Sequence, residues 1–124
     1  MAHHLVLVVI PELGDSVVRQ VWKLMRPHCG DPAGDELRFD FFTIGGRCDQ
    51  IFAGLCEVEC YEVDHLGGHV RGNVCRMRDL PSGFDPSSVV TPDGQMYLFE
   101  DLAVWRSIRA EHRDGYVVAV DAHW

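Results

Sequence analysis

Three cysteines and two histidines fall within the short segment Cys56 to Cys75, in the pattern C-x3-C-x4-H-x3-H-x5-C. Thiolates and imidazoles converging at tetrahedral distances are zinc chemistry. Cys56, Cys60, His65 and His69 therefore form a candidate metal set, with Cys75 as a substitute ligand, and zinc is the cofactor the segment suggests. The spacings depart from the tight C-x2-C knuckle, and Gly67 and Gly68 between the histidines prevent a helical His pair. The competing reading packs Cys56 and Cys60 into a core as small apolar residues, with both histidines on a loop.

Carboxylates surround the same segment. They fall in two clusters, Asp31, Asp35, Glu36 and Asp40, then Glu57, Glu59, Glu62 and Asp64. With 19 acidic against 11 basic residues the net charge is -8, a surface field that repels phosphate backbones and argues against direct nucleic-acid binding. Carboxylates spaced on a rigid face instead complement a basic groove on another protein and give fast, salt-sensitive association. Ordinary solvation of a soluble surface is the alternative.

Two further groups have chemical character. Cys48 directly follows Gly45-Gly46-Arg47, where a neighbouring cation would lower its pKa toward a nucleophilic thiolate if a distant His paired with it; no nucleophile motif surrounds it. Asp121 and His123 are two apart on a predicted terminal strand, so both emerge on one face as an acid–base pair or as ligands. Their place near the end of the chain predicts a solvated pair instead. Gly45-Gly46 is read as a turn that ends a strand, because no phosphate-loop motif follows. No residue is assigned a catalytic role on this basis.

The elements that must position these groups can be read in order. At 124 residues and 47% apolar, the chain is predicted to be one domain, 1–124, with a single core. Leu5 to Ile10 is a continuous apolar run that suits a central strand, too short to span a bilayer and without a basic leader or cleavage pattern. Ser16 caps a helix that presents Val17, Val21, Leu24 and Met25 on one face and stops at Pro27. A loop follows at 28–36, then an aromatic strand at 37–44 closed by Gly45-Gly46. Between about 47 and 88 glycines and prolines break up an irregular insertion, within which 55–63 alternates well enough to predict a strand. Pro92-Asp93-Gly94 predicts a hairpin turn. Glu100 and Asp101 open a second helix with Leu102, Trp105 and Ile108 inward, and 116–120 is the last strand. Five cysteines in a chain without an export pattern argue against a disulfide framework and for the cytoplasm. The order predicts an α+β fold of the split β-α-β, ferredoxin-like kind: an antiparallel sheet with two helices on one face and a long insertion between the second and third core strands.

Phe39-Asp-Phe-Phe-Thr-Ile-Gly-Gly-Arg47, Val90-Thr-Pro-Asp-Gly94 and Val118-Ala-Val-Asp-Ala-His123 together resemble segments of a group of small uncharacterised bacteriophage and prophage proteins. That group commonly shows I-G-G-R-W, T-P-D-G and a terminal V-D-C-H; Cys48 and Ala122 stand here where tryptophan and cysteine are usual. The resemblance implies a phage-type accessory protein acting in the host cytoplasm and carries no activity with it. Together with the acidic clusters it predicts an inhibitor similar to anti-CRISPR proteins, whose acidic face (Asp31, Asp35, Glu36, Glu57, Glu59, Glu62, Asp64) occupies a basic surface of a host protein, such as that of a nucleic-acid-binding complex. The alternative is a zinc-binding module or metal-dependent enzyme built on the 56–75 segment.

Overall fold

The computed structural model describes residues 3–30, 39–55, 58–84, 86–98 and 102–123. Strand β1, His3–Ile10, is the centre of the sheet. Its apolar run does not alternate because both faces are covered: Val6, Val8 and Ile10 enter one core cluster, while Leu7 and Val9 enter the other. Along one edge β1 pairs antiparallel with β6, Tyr116–His123, from His3 opposite His123 to Ile10 opposite Tyr116. Along the other it pairs parallel with β4, Ser88–Val90. A hairpin turn at Pro92-Asp93-Gly94, as predicted, then leads into β5, Met96–Leu98, antiparallel to β4.

The far edge of β6 is shared. Strand β2, Phe41–Ile44, covers residues 120–123, and β3, Val74–Arg76, covers residues 116–118. Between them the Gly45 N–H donates to the Ala119 carbonyl at 3.0 Å, and the Ala119 N–H donates to the Asn73 carbonyl at 2.8 Å. The chain thus leaves β6 at Gly45 and regains it at Asn73. Gly45 (φ 77°) and Gly46 (φ 53°) make the exit possible; a Cβ on Gly46 would lie 2.5 Å from the Asp121 carboxylate.

Helix α1, Val17–Met25, begins where Ser16 Oγ accepts from the Arg19 N–H at 3.0 Å, and it buries Val17, Val21 and Met25 against the Val6/Val8/Ile10 face. Helix α2 is described over Leu102–Glu111 and buries Trp105 and Ile108 against the opposite face. Leu102, expected inward, is exposed, because two inward positions suffice to seat so short a helix. Glu100 and Asp101 lie outside the described residues.

The α+β class stands, with two helices and six strands among the described residues. Three details of the ferredoxin-like expectation do not. The strand order is β2-β6-β1-β4-β5, so the second strand sits outside β6 while β5 takes the place next to β4. The β1–β4 pair is parallel, and the helices cover opposite faces. Residues 58–63 form no strand either. Their alternation is real, with Val58, Cys60 and Glu62 turned partly inward and Glu59, Tyr61 and Val63 exposed, but both edges of β6 are already occupied. Among the described residues the pairing there is an isolated bridge from Val63 to His69.

Candidate functional site

The insertion is pinned by one carboxylate. Buried Asp64 accepts from the Ile44 N–H at 2.6 Å and Thr43 Oγ1 at 3.0 Å through one oxygen, and from the Leu66 and Gly68 N–H groups at 3.0 and 2.7 Å through the other. Gly68 has to be glycine, since a Cβ there would meet the Ile44 carbonyl at 2.1 Å. Two residues earlier, Glu62 accepts from Ser16 Oγ at 2.5 Å and the Val17 N–H at 2.6 Å, so it satisfies the first turn of α1. Burial pushes its carboxyl up, but the bonds from Ser16, Val17 and Cys60 outweigh this and hold it below its ordinary value. Asn73, fully buried, completes the anchoring: its amide donates to Asp49 and to the His69 carbonyl and accepts from the Gln50 N–H.

Of the expected acidic face, Glu62 and Asp64 therefore serve the fold, and Glu59 is exposed. Asp31, Asp35, Glu36 and Glu57 lie outside the described residues, as does Cys56. Of the expected metal set, Cys60 and Cys75 lie apart. Cys60 packs toward the α1 face and contacts Glu62, whereas Cys75 is buried in the α2 face on the other side of the sheet, so it cannot substitute for a ligand beside Cys60. His65 lies edge-on to Trp22 and Phe42, with ring centroids 4.6 and 5.2 Å away. Among the described residues no group of three or more His, Cys, Asp or Glu side chains is placed to hold a metal ion.

Two concavities stand out among the described residues. The first is an open groove of about 1120 Å³ between the 49–55 turns and the 58–72 segment, with Asp49, Leu55, Glu59, Tyr61, Glu62 and Arg71 in its walls. Arg71 lies over the Tyr61 ring, 5.4 Å from its centroid, and Leu55 and Tyr61 are exposed.

The second is a cleft of about 580 Å³ at the end of the sheet, where β1, β6 and the turn after β2 meet. Asp121 is not the solvated terminal residue expected, because β6 continues to His123 and is paired on both edges; the residue is 3% exposed. His3 Nδ1 lies 2.9 and 3.0 Å from its two oxygens, and the Arg47 N–H donates to it at 3.0 Å. His123 stacks on Phe41, with centroids 4.8 Å apart and planes at 10°, and meets the His3 ring edge-on at 4.8 Å. Its Nδ1 lies 3.3 Å from the exposed carboxylate of Asp40, a charge contact outside hydrogen-bond geometry. Cys48 also lines the cleft. Burial first, and then the Asp121 charge, push its thiol up, opposite to the expected activation by Arg47. His3 was missed as a site residue because only the β1–β6 register places it beside Asp121; the shared face of Asp121 and His123 was the one signal available. The strand that carries I-G-G-R and the strand that carries V-D-x-H are neighbours, so the cleft joins two of the three segments singled out in the sequence. No protein family, no curated protein and no solved structure matches this chain.

Proposed function

We propose that this is an accessory protein that binds a basic surface of another protein through the groove of its insertion. The observation that carries the reading is the groove itself: Asp49, Glu59 and Glu62 stand around exposed Leu55 and Tyr61 on a chain of net charge -8. An apolar, aromatic centre with charges at its edge is how a protein-binding patch combines desolvation with steering. The chemistry that fits it is a segment of alternating arginine and aliphatic residues, as on proteins that hold nucleic acid. Occupying such a surface inhibits its owner, and the resemblance to small phage proteins points to a host protein as that partner.

The test uses Glu59→Arg, leaving Asp49, Glu62 and Asp64 to the fold. Titration of a synthetic Arg/Leu peptide, followed by backbone amide shifts, is expected to perturb residues 49–72, to weaken as salt rises from about 50 to 500 mM, and to weaken further in the variant. Shifts elsewhere, or binding that is unchanged by the reversal, would overturn the reading.

A further inference from the structure

The cleft at the end of the sheet shares no lining residue with the groove, and nothing in the binding role accounts for it. Asp121 is buried and, as a carboxylate, only accepts, so the proton between it and His3 sits on Nδ1. That leaves the lone pair of His3 on Nε2, the arrangement of a general base oriented by a carboxylate. His123 is the second imidazole at the same opening, its ring centroid 4.8 Å from that of His3 and its Nδ1 3.3 Å from the Asp40 carboxylate, and it is the group left to serve as general acid. The exposed Arg47 side chain lines the same cleft and has no hydrogen bond or ion pair among the described residues. A base, an acid and a free guanidinium around one opening match the charge development of phosphoryl transfer without a metal. The net charge of -8 disfavours long polyanions and leaves small substrates of one negative charge.

We propose that the His3–Asp121, His123–Asp40 and Arg47 cleft is a metal-independent acid–base site for the hydrolysis of small phosphodiesters. Arg47 pairs with the non-bridging oxygens. Water attacks phosphorus as His3 Nε2 takes its proton; the new P–O bond forms while the ester P–O bond breaks, and the leaving alkoxide takes a proton from His123. The products are a phosphomonoester and an alcohol, and solvent returns His3 and His123 to their starting protonation. Cys48 takes no covalent part, because its thiol stays protonated. Asp121 is a positioning residue.

The experiment is hydrolysis of bis(4-nitrophenyl) phosphate and of adenosine 2′,3′-cyclic phosphate by the full chain in EDTA. Turnover of at least one probe is expected, with a loss of about 10²-fold in His3→Gln and in His123→Gln, the scale of a single acid or base. His3→Gln keeps a donor to Asp121 and hence the fold, but has no basic nitrogen. Arg47→Ala is expected to raise KM more than it lowers kcat. Asp121→Asn is expected to shift the His3 ring ¹⁵N resonances toward the other tautomer, which a purely structural role would not do. Folded wild-type protein that hydrolyses neither probe above the buffer rate, or a His3→Gln variant that retains full rate, would overturn the proposal and leave the binding role untouched.

Discussion

Replacing Asp64 with alanine removes one side chain and four hydrogen bonds, and the structure fixes how much each matters. The Ile44 N–H is buried and has no water to turn to, so leaving it unpaired costs about 1–3 kcal/mol. Thr43 Oγ1 and the Leu66 and Gly68 N–H groups are only partly buried and can rehydrate, which limits their loss to about 0.5–1.5 kcal/mol each. Relief of the buried charge opposes these losses. The net expectation is about 3 kcal/mol, large for one substitution and a substantial fraction of the about 5–15 kcal/mol that holds a domain together. Urea unfolding followed by fluorescence of the buried Trp105 reads this as a midpoint lower by about 1–2 M at a typical slope, with the slope itself unchanged. A loss below about 1 kcal/mol would mean that Asp64 is a solvated surface acid, available to a partner, and the anchoring argument would be refuted.

Glu62 makes a prediction with a defined sign. Its folded pKa is held below the ordinary 4.5, so its contribution to stability is complete above about pH 4.5 and is lost as pH falls through the lower folded value. Unfolding midpoints measured from pH 6 to 3 are expected to fall less steeply in Glu62→Gln than in the wild type; parallel curves would show that the α1 cap carries no charge dependence. Cys48, with its thiol pushed up by burial and by Asp121, is expected to react with iodoacetamide at pH 7.5 several-fold more slowly than a cysteine in an unstructured peptide, and faster again in Asp121→Asn. Labelling as fast as in the free peptide would refute that electrostatic picture.

Local signals carried far in this chain. Ser16 was readable as a cap, the Val17/Val21/Met25 stripe as the buried face of a helix, and Pro92-Asp93-Gly94 as a turn, because each depends on neighbours in sequence. The unbroken apolar run of β1 also announced cover on both sides, yet it could not say that α1 and α2 would supply that cover from opposite faces. Pairing partners are set by tertiary register, and this is where sequence reasoning stopped. The alternation at 58–63 reflects burial without a strand ladder, and the pairing of His3 opposite His123 comes from the antiparallel register of β1 on β6. Carboxylates misled for a related reason: Glu62 and Asp64 look like surface charge in a list of residues, whereas their oxygens are bonded to backbone N–H groups up to 45 positions away.

The shared edge of β6 bears on how such a protein can change. Because the chain departs at Gly45 and returns at Asn73, both bonded to Ala119, the two ends of the intervening excursion are already held together by the sheet. Lengthening a loop whose ends are fixed costs only about 0.6 kcal/mol per doubling. The excursion is therefore a cassette. Past Arg47 and Cys48, which line the histidine cleft, its length and surface can be exchanged while β1, β6 and that cleft stay as they are.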